Sequence, residues 1–317
     1  MIQTYLNPAW LERNRYLDFL NKAFSGSWSK SDFDWYLGRA FQGIRPDILV
    51  RASGTDVVAG LGLVHRQVRV GCDLPVNVGV ISAAGTVPAA RGQGHLSELL
   101  HSALERARQC SWVALLAFVT EENGSGRGLR RLGARGIPSF YMSAAARGGR
   151  DGKAGCSNTT ARCDRTSPRR VKRAEIEHSK GRFRLTARSA AQAGFHYEQE
   201  DDWRQQFIER PHGIRLHRLQ HDSQAWIETV GSTDRLQRLD CPASKTRHHV
   251  TTLVAACAAA GRRFFMYSLD AQLAAALHRR GLAIHRGYFM LLPVDRSAHA
   301  WRTISEASWS VQSGDRL

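Results

Sequence analysis

Acidic residues are scarce in this sequence: 317 residues carry 28 Asp and Glu against 45 Lys and Arg, a formal charge of +17. A surface of that sign disfavours cationic ligands and favours phosphates, nucleic acid or acidic surfaces, without choosing among them. Paired cysteine motifs are missing too. Cys72, Cys110, Cys156, Cys163, Cys241 and Cys257 include no C-x-x-C pair, so neither a metal site nor a disulfide is expected, and Cys110 and Cys257 read as small buried hydrophobes. No apolar run reaches the ~20 residues that would cross a bilayer, and the N-terminus lacks the basic, apolar and small-residue series of a signal peptide. A cytoplasmic protein without membrane contact is the expectation, with room for two domains of ordinary size.

What is present is clearest from Val80 to Met142. An apolar strand runs into the glycine-interrupted loop V-P-A-A-R-G-Q-G-H-L (Val87 to Leu96). Leu96, Leu99, Leu100, Ala103, Leu104 and Ala107 then recur at helical spacing, and Ser111 to Thr120 is an apolar run of strand length. Glu121-Glu122-Asn123-Gly124 ends that strand, L-R-R-L-G (Leu129 to Gly133) is a short helix stopped at glycine, and Ser139 to Met142 returns as a strand. A strand that turns through glycines into a helix gathers free N–H groups and the positive end of the helix dipole, which suits a diphosphate, and Arg91 strengthens that preference. Upstream, Asp47 to Ala52, Asp56 to Val70 and Val76 to Val87 read as three antiparallel strands, with a hairpin turn at Ser53-Gly54-Thr55-Asp56.

This order resembles the core of the GCN5-related N-acetyltransferases (GNAT). In that family the pyrophosphate of acetyl-CoA is held by Q/R-x-x-G-x-G/A, and Arg91-Gly92-Gln93-Gly94-His95-Leu96 departs from it at Leu96, as the Eis-like branch does. The resemblance implies an α/β (α+β) fold and transfer of an acetyl group from acetyl-CoA, or another acyl-CoA, to a primary amine of a small molecule. It implies that Arg91 and the backbone of Gly92, Gln93, Gly94, His95 and Leu96 bind the pyrophosphate, that the Val87 backbone bonds pantetheine, and that Asn123 does so from beyond the fifth strand. The usual strand carboxylate is absent from Val80 to Thr86, and Leu129 stands where a tyrosine is common. The substitutes are Glu121 or Glu122 as base, Tyr141 as proton donor, His65, and the Leu317 carboxylate, because in Eis-like enzymes the terminal carboxylate lies in the active site. The alternative is an inactive protein of the same fold that binds RNA.

The chain then repeats itself. Asp34-Trp35 is echoed by Asp202-Trp203, and L-R-R-L-G with F-Y-M by L-H-R-R-G with Y-F-M (Leu277 to Met290). In place of the glycine loop the second copy has Cys241-Pro242-Ala243-Ser244-Lys245-Thr246-Arg247. Two tandem GNAT-like mixed-sheet domains, the second degenerate, are therefore expected: 1–147 with the acetyl-CoA site, a basic Gly/Arg-rich linker at 148–182, a degenerate copy at 183–295, and a tail at 296–317. Trp301, Ile304, Ala307 and Trp309 make that tail too apolar to hang free. The aromatics Trp28, Phe33, Trp35, Tyr36 and Phe41 are either core or a wall for the acceptor.

Overall fold

The computed structural model describes residues 1–26, 28–71, 73–145, 192–220 and 223–316. The expected linker at 148–182 and Leu317, the suggested terminal base, lie outside them.

The first half begins with β1 (Ile2–Leu6), α1 (Arg13–Ala23) and α2 (Lys30–Phe33). An antiparallel series follows, β2 (Asp47–Ser53), β3 (Asp56–Val70) and β4 (Val76–Thr86), and then α3 (His95–Gln109), β5 (Ala114–Thr120), α4 (Gly124–Arg131) and β6 (Arg135–Ala144). The second half holds β7 (Gln192–His196), α5 (Glu200–Phe207), β8 (Ile214–Arg218), β9 (Gln224–Val230) and β10 (Thr233–Asp240). After these come α6 (Thr246–Ala259), β11 (Arg263–Ser268), α7 (Ala271–His278), β12 (Ala283–Pro293), α8 (His299–Glu306) and β13 (Ser308–Trp309).

The apolar run of β5 is explained by cover on both faces. Leu115, Ala117 and Val119 point to the core under α3, while Ala114, Leu116 and Phe118 point to a second core shared with Ile304, Trp309 and Val311 of the tail. On α3, Leu99, Leu100, Ala103 and Ala107 form the buried face. Leu99 and Leu100 are essentially fully buried, each contributing roughly 1.5–3 kcal/mol of apolar transfer.

All thirteen strands among the described residues join one mixed sheet, whose main path is β1-β2-β3-β4-β5-β12-β6-β11-β10-β9-β8. The two halves are interleaved in it. β12, from the second half, lies between β5 and β6 of the first, pairing Gly287–Pro293 with Thr120–Ala114 and Ala283–Leu291 with Ser143–Arg135. β6 in turn pairs with β11. The echoed segments are thus α4–β6 and α7–β12, each stopped by a glycine with positive φ, Gly133 (89°) and Gly281 (88°), and each half's closing strand lies beside the other half's parallel strand. The two expected domains are thus not separate sheets: strands of both halves alternate in one continuous sheet.

Two parallel pairs in this sheet part early. β4 and β5 are joined only at Val78–Ala114, Gly79–Leu115 and Val80–Leu116; β10 and β11 only at Thr233–Arg263, Asp234–Phe264 and Arg235–Phe265. Beyond each set the strands diverge and leave a V. Among the described residues no helix is long and apolar enough to cross a membrane.

Candidate active site

The V between β4 and β5 opens at a bulge. Gly60 pairs with Gly85 and Gly62 with Ser82, so two steps along β3 match three along β4. The extra residue, Ala83, has φ +50°. A bulge takes backbone groups out of the ladder and turns them into the space beside the strand. That space is a chamber of about 240 Å³ walled by Ser82, Ala83 and Ala84 of β4, Phe118 and Val119 of β5, and the aromatics Phe24, Trp28 and Tyr36. Ser82 Oγ is buried there without a hydrogen-bond partner among the described residues. Of the expected aromatic wall, Trp28 and Tyr36 face the chamber, whereas Phe33, Trp35 and Phe41 are core.

Phe24, Ala84, Leu100, Asn123 and Ser125 also line a second cleft of about 670 Å³, so the two are contiguous. This cleft lies over the glycine loop. The first bond within α3 runs from Glu98 N–H to the Gly94 carbonyl at 3.2 Å, and no side chain caps the helix. The N–H groups of His95, Leu96 and Ser97 therefore have no carbonyl of their own helix and face the cleft. Gly92 and Gly94 have φ of +80° and +81°, and a Cβ at either would meet nothing within 4 Å. These glycines are needed for backbone conformation, and the space before them is open. His95 is buried, with Nε2 3.3 Å from Gln93 Oε1, and so props the loop from beneath. Arg91 donates Nε to the Thr86 carbonyl (3.2 Å) and Nη2 to the Ala23 carbonyl (2.9 Å), which ties the loop to β4 and α1. Arg127 and Arg131 of α4 line the same cleft. The sequence carries no local signal for this role, and only the packing of α4 beside α3 turns them toward the loop.

Several expected roles meet a different geometry. The Val87 N–H is already donated to the Val58 carbonyl at 2.9 Å, because β4's pairing continues one residue past its end; that donor is not open to pantetheine. Asn123 lines both cavities, but its side-chain oxygen accepts from Ser125 N–H at 3.0 Å as the cap of α4, which leaves its amide N–H₂ for a ligand. Glu121 and Glu122 do not line the chamber. The turn into α4 leaves Glu121 exposed at the strand end and carries Glu122 to the loop cleft.

His65 pairs with Gly79, seven residues before Thr86 along β4, which at ~3.3 Å per residue is about 20 Å from the loop. It is buried between Trp112 and Phe41, bonds Asn77 at 3.1 Å, and is held below the usual histidine range chiefly by desolvation. Tyr141 is also core, its ring 5.1 Å from that of Tyr267, and burial raises its pKa. Neither residue lines the chamber.

One residue on the chamber wall had no place in the sequence reading. The tail crosses the V of the second half, where Leu239 N–H donates to Gln312 Oε1 (2.8 Å) and Tyr267 N–H to Ser313 Oγ (2.7 Å), and then delivers Arg316 to the chamber. No sequence signal announces this, since S-G-D-R is polar and lacks periodicity. Among the described residues no group of His, Cys, Asp and Glu is placed to hold a metal.

No family model and no curated protein matches the sequence. Solved structures do resemble the fold. The chain is similar to N-myristoyltransferase of Saccharomyces cerevisiae with bound myristoyl-CoA (TM-score 0.62, 12% identity, 92% of this chain and 82% of that one). It is also similar to a tandem GNAT protein from the clavulanic acid biosynthesis pathway (0.57, 15%, 94% and 100%) and to Eis1 of Mycobacterium abscessus (0.51, 14%, 92% and 74%). At these identities the likeness shows the fold alone, a GNAT-type fold.

Proposed function

We propose that the protein is an acyl-CoA-dependent N-acyltransferase that moves a short acyl group, most simply acetyl, to a primary amine of a small molecule. The observation that carries this reading is the continuity of an open, cationic glycine-loop cleft with a chamber at the β4 bulge. The free N–H groups of His95, Leu96 and Ser97, the loop backbone from Gly92 and the side chains of Arg91, Arg127 and Arg131 would hold the phosphates, with Asn123 Nδ2 at the pantetheine arm. The chamber, at about 240 Å³, is small beside the 670 Å³ loop cleft it joins. That suits a short acyl group such as acetyl and the amine it meets.

At the chamber the protein orients the amine against the thioester carbonyl, and the backbone groups freed by the bulge stabilise the developing oxyanion. Tyr36 is the one tyrosine on the lining among the described residues; it gives its proton to the departing thiolate and is reprotonated by the N–H proton that the attacking nitrogen loses as the amide forms. No carboxylate or imidazole lines the chamber among those residues, so the amine reacts in its neutral form and positioning supplies the catalysis.

Acetyl-CoA should bind with micromolar affinity by calorimetry. Thiol release with a panel of amines should rise with pH along each amine's own pKa, and Tyr36→Phe should lower kcat while leaving acetyl-CoA affinity intact. A pH profile fixed by the enzyme and independent of the amine would defeat the base-free mechanism. The lack of a chamber acid also favours a second reading, an inactive binding protein of this fold that uses its basic surface for RNA; steeply salt-dependent RNA binding without acetyl-CoA binding would establish it.

A further inference from the structure

Among the described residues Arg316 is the only charged residue on the chamber lining. Its Nε is buried with no hydrogen-bond partner among the described residues. The guanidinium carbon lies 4.5 Å from the ring centre of Tyr141, 5.0 Å from Tyr267 and 5.9 Å from Phe118. Aromatic faces offset part of the cost of desolvating a cation, but they supply no acceptor for its N–H groups. The adjacent carboxylate is occupied elsewhere: Asp315 Oδ1 accepts from Tyr197 OH at 3.1 Å and Oδ2 from Gln312 N–H at 2.9 Å. The tail thus fixes an Arg against the chamber and holds its own acid away from it.

The side of the sheet on which Arg316 stands decides what it meets. Phe118, Tyr141 and Tyr267 belong to the core on the face opposite α3, whereas α3 and the loop's Leu96 pack on the other core. A donor seated on the loop enters from the α3 side. Arg316 faces the chamber from across the V, where the acceptor must approach.

We propose that the acceptor is an amine that also carries a carboxylate, an amino acid or a close relative, and that Arg316 receives the carboxylate through its planar fork of donors, placing the amine at the bulge of β4. This rests on the acyl-transfer reading. Arg316 is a specificity-determining residue of that reaction, and it leaves binding of the donor untouched.

The test compares wild type, Arg316→Met and Arg316→Lys. Acetyl-CoA and CoA affinities are measured first, by calorimetry. Absence of binding in wild type would defeat the acyl-transfer reading itself, and this inference with it, before any acceptor is added. Next, N-acetyl amino acids and their amides are titrated into the CoA-loaded proteins, which needs no turnover, and KM is measured for amino acids against their methyl esters. Wild type should bind the acids and discriminate against the amides and esters. Arg316→Met should weaken acids about 10- to 100-fold and leave amides, esters and acetyl-CoA unchanged, with Arg316→Lys recovering part of the loss. The inference is overturned if wild type treats acids and amides alike, if it binds neither class, or if the substitution alters only the choice between acetyl-CoA and succinyl-CoA, which would make the donor's acyl group the charge that Arg316 reads.

Discussion

In the first half, three residue pairs join β4 to β5 before the strands part, and the gap beyond holds a chamber that runs on to a cleft lined by Arg91, Arg127 and Arg131. In the second half, three pairs join β10 to β11, but the gap is crossed by Gln312 and Ser313, which accept the N–H groups the parting strands leave behind. The local chain explains the contrast. After β4 a 3₁₀ turn at Pro88–Ala90 leads through Arg91-Gly92-Gln93-Gly94 into α3, whereas after β10 a 3₁₀ turn at Ala243–Lys245 runs straight into α6. Without the intervening loop there are no left-handed glycines to turn N–H groups toward an anion. Of the cavities that remain in the second half, one of about 580 Å³ has Asp240 and Asp270 as its charged lining among the described residues, and one of about 500 Å³ beside the turn has Arg247 and Arg279 with Asp270. One V serves as a site and its counterpart as a socket for the tail.

The sharpest way to break that comparison is to block both loops. Gly94→Trp should abolish acetyl-CoA binding, because the left-handed backbone disfavours any side chain by about 1–2 kcal/mol and the indole would fill the cleft. Ser244→Trp, at the corresponding exposed turn of the second half, should leave binding unchanged. Equal calorimetric affinity for wild type and Gly94→Trp would remove the loop from the site.

A smaller effect is expected from unseating the tail. Gly314 passes so close to the second half that an added Cβ would lie 2.5 Å from the Phe207 ring and 2.9 Å from the Gln237 carbonyl oxygen. Gly314→Val should therefore cost about 1–3 kcal/mol, read as a lower Tm, and should displace Arg316 while acetyl-CoA still binds. A Tm equal to wild type would mean that the socket does not hold the tail.

The smallest effect is one both halves should share. His65 on β3, His196 on β7 and His217 on β8 are each held below their ordinary value of 6.5, chiefly by desolvation. The unfolded chain thus takes up protons that the folded one refuses, and stability that is complete above pH 6.5 is lost as pH falls toward the folded values. The Tm should be lower at pH 5.5 than at pH 7.5, and His65→Gln should reduce the difference. A Tm that rises on acidification would contradict the assignment.

The sequence by itself determined the local elements around the loop. Helical spacing at Leu99, Leu100, Ala103 and Ala107, the apolar run of β5, and the glycines at 92, 94 and 133 all act over a few residues, where sterics and burial suffice to fix conformation. The echo of L-R-R-L-G in L-H-R-R-G was visible for the same reason. Tertiary structure alone decided which strands became neighbours. Nothing in β12's composition says that it lies between β5 and β6, because one apolar strand pairs as well as another until the rest of the sheet excludes the alternatives. It also decided that His65 and Tyr141, chemically able residues, are buried as core, that Glu122 is carried to the loop cleft, and that a polar tail brings Arg316 to the chamber. Proximity between residues more than two hundred positions apart is set by the packing of everything between them, and no local pattern carries it.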